Sequence, residues 1–527
     1  MFQDLAVVVA ALAAAFPPAQ AGAGLHKDEE LGFQMEVPKD WRAVPLAASE
    51  KWVVAKYISN RELQSKKEWW SGHTPEMRVI LFPTEVTKER GPKVTKVKDG
   101  PTLVKFRSPF SDYKSYLKQN AEGGYYVAKE EPTTVNNIEA TCLEIRFEKL
   151  TVPRHAVAWV FKGEDAEWAV HFEALEDYWE KLAPDFTRCL RTFKFIPRKG
   201  SVTARAGDND LDFDSIFEVG KTSIAERATK RAALFERELQ TAVDRLPAGW
   251  IRKKSPHFYA FSHSDERHTA RVLEQAEALV AWLTQNFSWV GDGLPGPAIL
   301  RICKGWEEFR AFHDTSNDAM FVRSFEVVAY KDTEGYGFGS WGVNGAVANL
   351  WFADKNPRLR WGMPPWLNTG ISAIFGGSSA KGGKVEFKLD EWEREALRQI
   401  RQKGKLVTAR QLLGADYDEL RKFENSWLQC GLFLRYLWTG PKSASTKDLF
   451  KKYVQAYLAV VEEEEKAEEA AGKKENKPKT EEEEEARFKA RRQETKRQAD
   501  KVFQRIFGSW SEADWAAFER GYADFAD

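Results

Sequence analysis

Gly342 to Phe375, GVNGAVANLWFADKNPRLRWGMPPWLNTGISAIF, is the stretch that decides the fold. It reads as an apolar helical run, a charged turn at Asp354-Lys355, a Pro364-Pro365-Trp366-Leu367 corner and a second short apolar helix. The chain on either side is organised to meet it.

Upstream, His257 to Phe261 reads as a strand, Glu266 to Asn286 as a long amphipathic helix, Ala298 to Cys303 as a strand, Trp306 to Asp314 as a helix and Glu326 to Tyr330 as a third strand. Downstream, Gly376 to Gly383 is rich in Gly and Ser and reads as a flexible connector, and Asp390 to Lys403, Arg410 to Leu413 and Phe423 to Trp438 continue as helices. Residues 462–497 carry Glu462 to Glu465 and Glu481 to Glu485 around a Lys-rich centre, with little to bury. This predicts a solvated helical excursion or a disordered insertion. Phe503, Phe507, Trp510, Trp515 and Phe518 then restore an apolar face.

This strand, helix, PxWLxxG corner and helix order resembles the gluzincin-type metallopeptidases, specifically the peptidase-MA-like domains of bacterial secreted proteins. In that family the first helix carries HExxH and the second supplies a glutamate as third zinc ligand. The overlay puts the two histidine positions at Gly345 and Asn349, the general base at Ala346 and the third ligand at Thr369. None of these residues supplies the donors zinc needs. The resemblance therefore implies a zincin-like domain without metal, cofactor or catalytic residue, in which Asn349, Trp361, Trp366, Asn368 and Thr369 line or fill the emptied cleft. Hydrogen bonds from Asn368 and Thr369 to Asn349 are expected to replace the ion.

Residues 31–197 read as a separate domain. The GFQMEVP segment at Gly32 to Pro38 alternates apolar and polar, as a sheet with one buried face requires. Strands are predicted at Trp52 to Ile58, Met77 to Phe82, Gly124 to Ala128, Glu139 to Phe147, His155 to Phe161 and Glu167 to Glu173, and helices at Asp112 to Asn120 and Glu176 to Arg188. Consecutive strands joined by short turns predict an antiparallel sheet with helices laid on it. The opening GFxMEVPKDW and this element order resemble the PsbP and Mog1 domains, which are mostly binding or scaffolding modules. Residues 198–254 read as a linker and a helix, and 255–527 as the peptidase-like domain. The whole is α+β: an antiparallel-sheet module, then a zincin-like domain with a helical C-terminal lobe.

The 79 basic and 79 acidic side chains cancel, which argues against nucleic acid as a partner. An apolar core at Leu5 to Phe16 and an Ala19-Gln20-Ala21 site match a signal peptide over residues 1–23, cleaved near Ala21 or Ala23. They predict export to the periplasm or exterior, and no other run is long and apolar enough to span a bilayer. The four cysteines allow Cys142 with Cys189 and Cys303 with Cys430 as disulfides, or four buried thiols.

Among possible reactive groups, His263-Ser264-Asp265-Glu266-Arg267-His268 is the densest titratable cluster, and it reads as a helix cap because its spacing suits no metal. Asp332 to Ser340 reads as a glycine-aromatic surface loop. The functional expectation is a secreted, non-catalytic protein that binds a protein or peptide partner. The alternative is a metal-dependent hydrolase with an atypical site at His257, His263 and His313.

Overall fold

The computed structural model describes residues 24–46, 52–66, 72–83, 93–95, 103–105, 112–120, 124–147, 152–163, 166–198, 224–247, 249–293, 296–312, 321–323, 325–331, 338–356, 358–359, 363–381, 384–387, 389, 391–440, 448–470 and 481–525. The leader at 1–23, nearly all of the 198–223 linker, and residues 332–337 of the glycine-aromatic segment lie outside them. Two compact units divide the chain. The first takes in Met1–Leu211, Glu238–Trp250 and Trp306–Ser316, and the second Asp212–Arg237, Ile251–Gly305 and Asn317–Asp527.

The first unit contains β1 (Leu25–Asp28), β2 (Phe33–Glu36), β3 (Trp41–Ala43), β4 (Val53–Ser59), β5 (Leu63–Gln64), β6 (Gly72–His73), β7 (Glu76–Pro83), β8 (Lys93–Thr95) and β9 (Leu103–Lys105). Helix α1 (Tyr113–Asn120) is followed by β10 (Tyr126–Val135), β11 (Ile138–Phe147), β12 (Arg154–Lys162), β13 (Ala166–Leu175), α2 (Trp179–Arg191) and β14 (Lys194–Phe195). The main sheet is antiparallel throughout, in the order β10-β11-β12-β13-β7-β4-β3, and β1, β2 and β14 make a second small sheet. Strand alternation sends Trp168, Val170 and Phe172 of β13 to the face that packs on Phe186 and Leu190 of α2. Ala169 faces the other way, towards Tyr113, Tyr116 and Leu117 of α1. The sequence predicts one buried face, but β13 is buried on both, so its polar residues His171 and Glu173 lie in the interior at 3% and 5% exposure.

In chain order the remaining elements are α3 (Ile224–Asp244), β15 (Ile251–Lys254), β16 (Phe258–Ser262), α4 (Glu266–Asn286), β17 (Ala298–Cys303), α5 (Trp306–Phe312), β18 (Phe321–Arg323), β19 (Glu326–Tyr330), α6 (Phe338–Lys355), α7 (Pro365–Gly376), β20 (Ser378–Lys381), β21 (Lys384–Phe387), α8 (Glu391–Gln402), α9 (Ala409–Gly414), α10 (Tyr417–Leu420), α11 (Ser426–Thr439), α12 (Leu449–Ala470), α13 (Glu481–Phe507) and α14 (Glu512–Phe525). The second unit's sheet runs β15-β16-β17-β19-β18, parallel from β16 through β17 to β19 and antiparallel at its edges. Val272, Ala276, Leu279 and Leu283 recur at helical spacing along α4 and enter the same core as Leu300, Val327, Val347, Trp366 and Phe433.

Two expectations are corrected, and of the two readings of the Glu-rich segment the helical one holds over its described residues. Phe338, Gly339 and Ser340 form the first turn of α6 rather than a loop. The Gly/Ser-rich connector contains the hairpin β20-β21. Ser378 is fixed there because its carbonyl accepts from Asn344 Nδ2 at 2.7 Å and its hydroxyl donates to the Phe375 carbonyl at 2.6 Å. Glu462 to Ala470 and Glu481 to Arg497 are helical and belong to α12 and α13, whose charges pair between the helices. Arg505 meets Glu463 at 2.8 Å, and Gln498 donates to Glu464 at 2.9 Å.

Helix α7 is held closely by the helices on either side of it. A Cβ on Gly370 would come within 2.9 Å of the Cys430 carbonyl oxygen, and one on Gly431 within 2.8 Å of Ala373 Cβ, so α7 and α11 cross almost backbone to backbone. Alanine favours a helix interior over glycine by about 1 kcal/mol, yet overpacking costs about 1–3 kcal/mol, and here the obstacle is backbone that cannot turn aside. Gly370→Ala is predicted to lower the urea midpoint of the purified protein. A neutral or raised midpoint would refute the close crossing.

Candidate functional site

The sequence overlay concentrates on the crossing of α6 and α7. Gly345 lies where these helices touch: a Cβ there would stand 2.8 Å from the Ser372 carbonyl oxygen. Ala346 is 5% exposed and packs in the core. Asn349 does turn towards α7, where its Nδ2 donates to Ser372 Oγ at 2.8 Å, and that hydroxyl donates to the Asn368 carbonyl at 3.1 Å. The bond between the helices thus runs from Asn349 to Ser372 rather than to the side chains of Asn368 or Thr369. Asn368 Nδ2 points instead to the Tyr417 hydroxyl, at 3.4 Å. Ser372 was legible in principle, since it lies one helical turn beyond Asn368 on the same face.

Trp366 is fully buried and meets Phe433 and Tyr453 edge to face, with centroids 5.2 and 5.1 Å away, so it packs the core and does not line a cleft. Trp361 lies outside the described residues. A zinc site does not fit here. The donor set Gly, Ala, Asn and Thr lacks imidazole and carboxylate, and at Gly345 the helices leave no room even for a methyl group.

Of the histidines of the alternative site, His257 and His263 lie at opposite ends of β16 and do not meet. Nδ1 of His257 lies 2.6 Å from Glu277 Oε2, and the other oxygen of that carboxylate accepts from Ser255 Oγ at 2.5 Å and from the His257 amide at 2.8 Å. Burial alone would raise the Glu277 pKa, but these donors hold it below its ordinary value. His263 leads into α4, where Asp265 is the N-cap: Oδ1 accepts from the His268 amide at 2.8 Å and Oδ2 from Lys331 Nζ at 2.6 Å. His313 lies outside the described residues. Among the described residues, no three His, Cys, Asp or Glu side chains are grouped to hold a metal ion.

The first unit holds a cluster of polar groups that the sequence does not single out. On the second face of the sheet, the Tyr113 hydroxyl lies 2.5 Å from His171 Nδ1, His171 Nε2 lies 3.2 Å from Glu173 Oε2, and Arg154 donates to Glu173 Oε1 at 2.6 Å. His73 stands 3.8 Å from the same carboxylate. Next to these, Arg78 pairs with Glu76, and Lys56 Nζ is 4.0 Å from it. Tyr113, His171 and Glu173 have the connectivity of a proton relay, but burial holds the Tyr113 hydroxyl well above its ordinary pKa. They act as a closed, hydrogen-bonded interior network. These residues are scattered in sequence from Lys56 to Glu173, and the strand register, with α1 packed on the sheet, brings them together.

All four cysteines are free, so neither of the two pairs that the sequence allows is joined. Burial raises the thiol pKa of Cys189 to about 11 and of Cys430 to about 12, which leaves both protonated and unreactive at neutral pH.

No family model matches this chain, and no curated protein matches it. Solved structures similar to its N-terminal part include the cyanobacterial PsbP of Synechocystis sp. PCC 6803, at 14% identity and TM-score 0.22 over 35% of this chain and 99% of that one. LpqN of Mycobacterium tuberculosis, described as involved in cell envelope biogenesis, is 15% identical at TM-score 0.21 over 33% of this chain and 88% of that one. The Saccharomyces cerevisiae Ran-binding protein Mog1p is 11% identical at TM-score 0.19 over 32% and 91%.

Two buried groups of the first unit respond to acid in separate ranges. His155 is 1% exposed and stacked on Trp179 at 3.7 Å. Burial, aided by the Arg146 guanidinium, lowers its pKa from 6.5 to about 3. Glu144 and Glu176 stand 3.1 and 3.4 Å away and pull the other way, but both are also paired to Arg146. The folded state therefore keeps His155 neutral, and its contribution to stability is complete above pH 6.5 and lost as pH falls from 6.5 towards 3. Burial works against the Glu173 charge, yet Arg154, His171 and His73 hold its pKa well below 4.5, so that contribution is lost only below pH 4.5. Thermal unfolding across pH is expected to show destabilisation beginning near pH 6.5. In His155→Phe, which keeps the stack on Trp179, the limb between pH 6.5 and 4.5 should flatten while the steeper loss below 4.5 remains. An unchanged upper limb would mean that His155 is charged in the folded protein.

Proposed function

We propose that this chain is an exported, non-catalytic binding or scaffolding protein of the cell envelope, with a protein or peptide as its partner. In this reading its second unit keeps the helix pair of a zincin and has given up the metal. The observation that carries it is the contact at Gly345, where α6 and α7 approach so closely that a histidine cannot be accommodated, together with the Asn349 to Ser372 hydrogen bond beside it. Export rests on the apolar leader and its Ala19-Gln20-Ala21 site. Among the described residues no helix is long and apolar enough to cross a membrane.

The test is elemental mass spectrometry of the purified mature protein, with melting curves recorded with and without a chelator. The expected result is no stoichiometric metal and no shift in Tm. About one zinc per chain, with a Tm that falls on chelation, would overturn the reading and favour the atypical hydrolase.

A further inference from the structure

In the export reading, on which this inference rests, the leader ends in two overlapping small-residue sites, Ala19-Gln20-Ala21 and Ala21-Gly22-Ala23. A cut after the second makes Gly24 the mature amino terminus, followed by Leu25 and His26. A histidine at the third position of a free amino terminus has its own coordination chemistry. The terminal amine, the next two backbone nitrogens and Nδ1 of the imidazole close three fused chelate rings in one plane. Square-planar nitrogen sets select copper(II) and nickel(II), with copper held more tightly, whereas zinc takes tetrahedral sites. A single side chain suffices, because the backbone supplies the other donors.

The first unit leaves this terminus within reach. Gly24 stands in open space, where an added Cβ would meet nothing within 4 Å, and Leu25 is 50% exposed. The strand they lead into, β1, is at the edge of its sheet and pairs with β2. His26 lies opposite Met35 of β2, and its Nδ1 is 2.6 Å from the Tyr57 hydroxyl. We propose that the mature amino terminus Gly24-Leu25-His26 binds copper(II), and nickel(II) less tightly, through the terminal amine, the backbone nitrogens of Leu25 and His26, and His26 Nδ1. On binding, the His26 ring exchanges Tyr57 for the metal, the start of β1 lifts from β2, and the displaced amide protons pass to solvent. Zinc is not taken up in this way, so a chain purified without copper or nickel stays free of stoichiometric metal.

The test is an intact-mass measurement of the exported mature chain, followed by titration with copper(II), nickel(II) and zinc read by visible absorption. The expected result is a chain beginning at Gly24 that takes up about one copper(II) with the short-wavelength band of a square-planar four-nitrogen complex, forms a diamagnetic nickel(II) complex and leaves zinc unbound. Leu25→Pro removes one backbone donor and leaves His26 in place, and proline is tolerated at the first residue of a strand. It and His26→Ala are each expected to weaken copper binding at least about a hundredfold, the upper end of the ~10–100-fold that an outer-shell partner is worth. The chain with its leader retained has the same His26 and is expected to lack the band. A melting curve of Leu25→Pro that matches the parent would show that the effect is local. A chain beginning at Gly24 without the square-planar band, or a band unchanged in either variant, would overturn the proposal and leave export standing. So would a mature chain beginning at Gly22, which makes His26 the fifth residue. A leader that is never removed would overturn both.

Discussion

The approach of α7 to its two neighbouring helices is the constraint on which the second unit depends. Gly345 brings α6 onto its backbone from one side, and Gly370 and Gly431 bring α11 on from the other. With the helices this close, dispersion contacts along the whole crossing replace those of long side chains. The bulk that glycine omits is supplied around the crossing by Trp366, Phe433 and Tyr453. The same closeness forecloses metal chemistry at these positions. Imidazole and carboxylate ligands must hold a zinc ion about 2 Å from each donor, with an open coordination position, which needs a gap between helices that here touch at Gly345. The polar bond at the crossing, from Asn349 Nδ2 to Ser372 Oγ, pairs the amide nitrogen and fixes the crossing point along both helices, while Asn349 Oδ1 stays buried without a hydrogen-bond partner.

The first unit solves a different problem. Its antiparallel sheet buries two faces, with α2 on one and α1 on the other, and the second face combines an apolar cluster with buried polar side chains. The interior there is completed by ions and hydroxyls that satisfy one another: Glu173 accepts from Arg154 and lies against His171, whose other ring nitrogen meets Tyr113. A buried network of this kind is costly to leave partly satisfied, because each member would expose its partner to an uncompensated charge. It therefore fixes the register of β7, β12 and β13 more stringently than apolar contacts alone.

Wherever local periodicity dictates structure, the sequence was legible. The spans Glu266–Asn286, Ala298–Cys303 and Glu326–Tyr330 agree with expectation to the residue, and the strands of the first sheet to within a few residues, except that Tyr126–Val135 runs well past its predicted end. The hairpin at Ser378–Phe387 was not legible, because Gly and Ser carry no strand signal and its order comes from Asn344 on a distant helix. The interior network escaped for a similar reason. Each of Lys56, Glu76, Arg78, His171 and Glu173 reads as the solvent-facing half of an alternating strand, and nothing local announces that a second layer covers that face. At the helix pair the absence of zinc-binding side chains at Gly345, Ala346, Asn349 and Thr369 was legible residue by residue, and Ser372 could have been singled out from its place one turn beyond Asn368, although only the crossing pairs it with Asn349.

A small recess opens beside the C-terminal end of α7, and Gly431, one of the glycines that close the crossing, is among the residues that line it. Ala373 and Gly431 meet at the contact and also line the recess, so the gap opens where close packing stops. Helix α7 ends at Gly376, one turn beyond Ala373, and the chain turns into β20. The wall on that side is made by residues from separate elements, Phe387, Leu389 and Trp427. A large residue at 373 or 431 would push α7 and α11 apart, while a longer α7 would fill the space. The recess thus lies where a tight crossing and an early helix end coincide, and both Glu393 and Arg435 line it beside the apolar residues.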